Sequence, residues 1–247
     1  CWSNITVQET TDLRVLAPAH GALKWMYSGK GMDRIPMPVD ASGRDSSYPI
    51  NAPGSADYFW DIPDTQRPWE ATLDGAGKGL VHASTSRLRG RKMFVWGMNP
   101  GGRHWQEFLS IPDFGYIEIQ AGVTRTQGEK FPLEAGDGME WLEAYGLMEA
   151  DPERTHGDDW DAAWRDVDTR LENALPEKAL EKMLLDTVSV ADRAPDEVLF
   201  RGSGWGALEN ERRRHTGEAA MCSSALVFDE HSYGADQAPW LALLRSG

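Results

Sequence analysis

The chain has 247 residues, of which 39 are acidic and 25 basic, giving a net charge of −14. So acidic a chain lacks the basic footprint that a nucleic-acid backbone requires, and nucleic acid is excluded as a partner. No apolar run reaches the roughly 18 residues of a membrane helix, and Cys1 and Cys222 form neither a disulfide framework nor a zinc pattern, which fits a reducing, cytoplasmic compartment and no metal.

Tryptophan is over-used: there are 11, seven of them before residue 150. Tryptophan packs in cores, and in clefts it offers a flat apolar face beside polar groups. The chain starts at Cys1 and stops directly after an apolar helical run, so it is expected to be a piece of a longer protein.

Residues 1–149 read as β-rich. They hold 18 of the 25 glycines, 10 of the 14 prolines and only short apolar runs. Residues 13–17 form a brief strand. Residues 28–57, with repeated Gly, Pro and Ser, read as a long loop that runs into the aromatic cluster around Asp57, Tyr58, Phe59, Trp60 and Asp61. Residues 80–86 form a strand with His82, Ser84 and Ser86 on one face. A hairpin through residues 88–90 is expected to join it to the strand at 92–97. Arg87, Arg89 and Arg91 alternate there as a solvated rim. Arg103, His104 and Trp105 follow on a glycine-rich corner.

The strand at 116–123 alternates with period two. Ile117, Ile119, Ala121 and Val123 fall on one face, and Tyr116, Glu118 and Gln120 on the other. Such a polar face is either one wall of a cleft or an ordinary solvated surface. Gly136 and Gly138 mark a turn before a further strand at 139–145, which carries Trp141 and Glu143.

After residue 150 helical spacing takes over. Trp160, Trp164, Val167, Leu171 and Leu175 make one apolar stripe, with Asp158 or Asp159 as N-cap. Pro176 ends that helix and opens the next, which contains Leu180, Met183, Leu184 and Val188. Ser203 is placed to cap a third helix with Trp205 and Leu208, whose end carries Arg212, Arg213 and Arg214. Residues 237–245 make a fourth. The helical tryptophans are read as packing residues. The expected domains are therefore residues 1–149, mainly β, and residues 150–247, α-helical.

Several segments together resemble an uncharacterised bacterial domain family with a galactose-mutarotase-like fold that precedes tetratricopeptide repeats. They are residues 2–5 and 15–18, Phe94 with Trp96 and Gly97, residues 102–105, residues 116–123, residues 202–208 and residues 237–241. The resemblance implies a partial β-supersandwich lacking its first part, then a helical segment leading into repeats that recruit a protein partner. It also implies carbohydrate chemistry. Glu118, in a Glu-x-Gln setting with Gln120, matches the carboxylate of mutarotases. His104 is the nearest candidate for their histidine.

The chemistry expected on this reading is acid–base work on a glycoside or aldose, with no cofactor. Glu118 would be the base, and His104 or His82 the acid. Arg103, Trp105, Tyr116, Gln120 and Trp141 would bind the sugar. Glycoside hydrolysis would instead pair Glu118 with Asp57, Asp61 or Glu143. The competing expectation is a non-catalytic carbohydrate-binding or scaffold module. Phosphate loops, nucleophile elbows and dinucleotide fingerprints are not found.

Overall fold

A computed structural model describes residues 1–27, 31–111, 115–191, 193–200, 202–221 and 227–246. Cys222 and the Gly29-Lys30 part of the expected loop lie outside the described residues. The chain divides into two compact units, residues 1–184 and 185–247.

The first unit holds two antiparallel sheets. The larger runs in the order β1 (Trp2–Glu9), β9 (Gly115–Gly122), β8 (Gly90–Val95), β5 (Ala56–Trp60), β3 (Gly21–Met26) and β4 (Met32–Pro36). The smaller is β10 (Glu143–Glu149), β7 (Lys78–Ser84), β6 (Trp69–Leu73) and β2 (Arg14–Leu16). The helices among the described residues are α1 (Pro100–Leu109), α2 (Pro152–Thr155), α3 (Trp160–Ala174), α4 (Glu177–Ala191), α5 (Trp205–Thr216) and α6 (Ala238–Ser246). The class is therefore mixed α and β rather than mainly β.

The alternation read in β9 is real: Ile117, Ile119 and Ala121 are buried in the core. Other expectations change. The segment read as a loop contains β4, and Asp57 to Trp60 form a fully buried strand, because aromatic residues pack on both faces of β5. The strand expected at 139–145 starts later, at Glu143, so Trp141 precedes it.

The hairpin expected between β7 and β8 does not form. β7 pairs with β6 and β10, whereas β8 pairs with β5 and β9, so this link crosses from one sheet to the other. Arg91 is accordingly not on a rim. It is wholly buried and donates to the carbonyls of Leu88, Gly90 and Pro68 and to Ser84 Oγ at 2.6–2.9 Å. A planar guanidinium here caps backbone oxygens that the crossing leaves without strand partners. Arg87 stays exposed.

The glycine-rich corner at residues 100–105 is a helix. Asn99 caps α1, its side chain accepting from Gly102 N at 2.7 Å, and Pro100 supplies a ready-made first turn. Gly102 lets the helix lie against the end of β8: a Cβ there would sit 2.2 Å from the Trp96 carbonyl oxygen.

α3 forms as its stripe predicts, with Asp159 as N-cap and Trp160, Ala163, Trp164, Val167 and Leu171 buried. It covers the face of the smaller sheet that points away from the larger one, where Trp69 donates to Asp168 at 2.8 Å. The helix belongs to the same core as the strands, so the compact unit runs past the expected boundary at 149/150. In the second unit Gly204, not Ser203, stands at the N-cap of α5, and Gly217 ends it in the left-handed conformation. Trp205 and Trp240 are about half exposed, unlike the packing tryptophans of α3.

A polar layer interrupts the space between the sheets. Glu70 accepts from Trp60 Nε1 at 2.8 Å, and burial pushes its carboxyl up to about 8. Near the β1–β10 edge, Glu143 accepts from His82 Nε2, Ser3, Trp141 and Tyr145. Burial alone would raise the Glu143 pKa, but these four donors together pull it down to about 2. Burial takes His82 down to about 4, so it is a neutral partner at pH 7.

Two outcomes follow. A chain ended at residue 149 uncovers the back of the smaller sheet. It is expected to bind a hydrophobic dye and lose its cooperative urea transition, whereas one ended at residue 184 keeps both properties native; equal behaviour of the two would refute the shared core. Secondly, His82 and Glu143 both titrate lower when folded than their ordinary values near 6.5 and 4.5. At these two groups the unfolded chain binds more protons on acidification, so their contributions to stability are lost as pH falls, that of His82 between about 6.5 and 4 and that of Glu143 between about 4.5 and 2, while the raised carboxyls of Glu70 and Glu9 act in the opposite sense above about 4.5. The urea midpoint of the wild type should therefore fall relative to that of His82→Gln as pH is lowered from about 6.5 to 4, and a difference that stays constant over that range would contradict this.

Candidate functional site

The register of the larger sheet composes its outer face. Tyr116, Glu118 and Gln120 point away from the core. One row across the strands reads Thr6, Glu118, Phe94, Asp57, Trp25 and Met32. The next reads Asn4, Gln120, Lys92, Phe59, Leu23 and Arg34.

Aromatic rings run along one side of these rows. Trp25 stacks on Tyr27 at 5.1 Å, Tyr27 meets the edge of Phe94 at 5.9 Å, and Phe94 meets Trp96 at 4.8 Å. Trp96 stacks on Trp105 of α1 at 5.9 Å and touches Tyr116 at 6.1 Å, while Trp105 leads on to Phe108. Tyr27, Trp105 and Phe108 are exposed. The Trp96 indole N–H is buried without a partner. Trp96 is a half-buried member of this arc.

Polar groups occupy the adjoining ground. Glu118 Oε2 accepts from Asn4 at 2.7 Å and from Gln120 at 2.8 Å. Gln127 donates to Gln120 Oε1 at 3.1 Å, and Lys92 donates to Gln127 Oε1 at 3.1 Å. Lys92 also lies 2.8 Å from Asp57 Oδ1. That contact is an ion pair whose angles do not make a directed hydrogen bond, and both side chains are almost fully buried. Tyr27 donates to the other Asp57 oxygen at 3.1 Å. Burial, with Asp57 beside it, raises the Tyr27 hydroxyl to about 12, so it remains a neutral donor.

The expected site residues thus divide. Glu118, Gln120, Tyr116 and Trp105 come together on this face. His104 is exposed on α1, on the side opposite the buried Gly102 and Gln106, with its ring 6.4 Å from Trp105. Arg103, at 100° per residue, takes the flank of the helix away from Trp105. Trp141 donates to Glu143 Oε1 at 2.9 Å and lines a cavity of about 520 Å³ with Trp2, Phe131, Leu133 and Met139, which Gln127 also borders. His82 and Glu143 lie between the sheets, so sheet backbone separates them from Glu118 and neither is its acid–base partner. Asp61 pairs with Arg34.

Sequence reasoning missed Asn4, Lys92, Gln127 and Tyr27. For Asn4 and Lys92 a signal existed in strand parity, but only the pairing register says which strands are neighbours. Among the described residues no group of three or more His, Cys, Asp or Glu side chains is arranged to hold a metal ion, and no helix is long and apolar enough to cross a membrane.

No curated protein matches this chain. One similar solved structure is a TPR-domain containing protein from Parabacteroides distasonis, at 20% identity with a TM-score of 0.42. The match covers 59% of this chain and 23% of that one, so this chain spans about a quarter of that protein's length. Residues 1–136 match a domain of unknown function, DUF5107. That match takes in both faces of β9 and more than half of the chain, and this protein belongs to the DUF5107 family.

Proposed function

We propose that the outer face of the larger sheet binds carbohydrate. One observation carries the reading: an arc of aromatic rings, partly exposed, borders a carboxylate held by two amides. Sugars present flat C–H faces ringed by hydroxyls. Tryptophan and tyrosine rings suit the former, and outward carboxylate and amide groups the latter. The arc from Trp25 to Phe108 has ring-to-ring steps of 4.8–6.0 Å, and its open course suits a chain of sugar units better than one enclosed sugar.

Binding is favoured over catalysis by the surroundings of Glu118. Its hydrogen-bond partners are neutral amides. The nearest carboxylate in its row is Asp57, two strand spacings away, on the order of 10 Å between backbones. Asp57 is engaged by Lys92 and Tyr27. Glycosidase or epimerase chemistry with Glu118 as base would need an acid from elsewhere, with His104 the expected candidate. The partial mutarotase-like sandwich and the repeat-like helical tail, which would recruit a protein partner, remain part of this proposal. Their support is the pair of stacked antiparallel sheets and the helices α5 and α6.

Glycan-array screening followed by titration of tryptophan fluorescence tests the reading. Saturable binding is expected, and Trp105→Ala should weaken it about tenfold, or ~1.4 kcal/mol. Glu118→Gln should reduce affinity without lowering the melting temperature. Absence of saturable binding to any glycan would exclude the proposal. Reducing-sugar release that vanishes in Glu118→Gln would move Glu118 from binding to catalysis.

A further inference from the structure

The polar chain of the proposed sugar face, which runs from buried Lys92 through exposed Gln127 to Gln120 and Glu118, has a direction. A lysine ammonium has three donors and no acceptor, a carboxylate accepts only, and a glutamine amide does both. Lys92 stands at one end and Glu118 at the other, with Gln127 and Gln120 between them. The ammonium can meet only the oxygen of Gln127. Gln127 must therefore turn its NH₂ to Gln120, whose oxygen receives it, and Gln120 must turn its NH₂ to Glu118. Both amide orientations, which heavy-atom positions alone leave ambiguous, are fixed by the chemistry of the two ends.

We infer that Lys92 acts through Gln127 and Gln120 as a positioning residue that holds Glu118 as the outward acceptor, so that this face selects ligands rich in hydrogen-bond donors and rejects anionic glycans. The inference rests on the carbohydrate reading and adds a ligand class to it.

Three observations support it. Glu118 Oε2 takes both amide donors, and Oε1 accepts no hydrogen bond among the described residues, which leaves it for a ligand. Lys92 is 3% exposed, pairs with Asp57 and lies within 6 Å of the ring centres of Phe59 and Phe94, so it cannot reach out to neutralise a ligand anion. Arg34, the other cation of the same row, is three strands away and paired with Asp61. A glycan carboxylate laid on the arc would meet Glu118 without a compensating cation among these rows. The net charge of −14 adds to the repulsion. Charge-assisted hydrogen bonds along one chain polarise each other in the same sense, which strengthens the contacts that orient Glu118.

The test titrates the intact chain at low ionic strength, where charge discrimination is least screened. Three probes of equal length serve: a neutral gluco-oligosaccharide, its glucosamine counterpart and its glucuronate counterpart. The first two are expected to bind, the glucuronate at least about tenfold more weakly than the neutral probe. Glu118→Gln should bring neutral and glucuronate affinities within about threefold of each other. Gln127→Leu leaves the buried Lys92–Asp57 pair in place and so avoids the folding defect that Lys92→Met invites. It should weaken neutral-ligand binding severalfold, and the Gln120 side-chain amide resonance should move to the position of a solvated amide. Glucuronate bound as tightly as the neutral probe would overturn the inference while leaving the carbohydrate reading in place. So would Gln127→Leu with unchanged affinity and an unmoved Gln120 resonance. Binding of none of the three overturns the inference, and the carbohydrate reading falls with it when the glycan array also shows no saturable binding.

Discussion

The Lys92–Asp57 pair is the constraint on which the outer face depends. It lies on the face turned away from the sandwich core, yet both side chains are nearly inaccessible. Charges at such a depth are retained only when paired and further hydrogen-bonded, and removing one partner of a buried pair typically costs about 3–5 kcal/mol. The pair fixes β5 against β8 in side-chain terms as well as in backbone register. It consumes the nearest cation and the nearest second carboxylate, and it leaves Glu118 as the outward charge. The chemistry of the face follows from that allocation.

The two sides of the larger sheet use polar groups differently. Between the sheets, Glu143 receives four donors and Arg91 caps carbonyls of the sheet-crossing link. Glu143 is half-buried and engaged by all four donors, Arg91 is wholly buried with its Nε alone left without a partner, and their role is to hold β1, β7, β8 and β10 together. On the outer side the carboxylate of Glu118 is half satisfied and half buried, bordered by exposed rings. A saturated polar cluster stabilises the fold, whereas an unsaturated one next to exposed aromatic surface has capacity for a ligand. His82 and Glu143, attractive in sequence as an acid and a second carboxylate, belong to the first kind.

Residue 149 marks a change in composition without marking the edge of a compact unit. α3 buries Trp160, Trp164, Val167 and Leu171 in the core that includes Trp69, Ala71 and Leu73. The smaller sheet is apolar on one face and carries the buried polar layer on the other, so it needs a cover on each. The larger sheet covers one face of the smaller, and α3 covers the other.

The sequence by itself determined the local matters. Period two in β9 separated Ile117 and Ile119 from Glu118 and Gln120, and helical spacing located α3 with its cap at Asp158 or Asp159. These follow from side-chain direction within one element, which the chain carries in its own order. The tertiary structure decided everything that depends on which elements become neighbours. It placed Asn4 beside Glu118 across more than a hundred residues of chain, turned Arg91 inward and split Arg103 from Trp105 on opposite flanks of α1. It put sheet backbone between His82 and Glu118, and it tied Lys92 to Glu118 through two glutamines. Pairing register and sheet assignment are set by summed packing over the whole core, so no single stretch of sequence contains them.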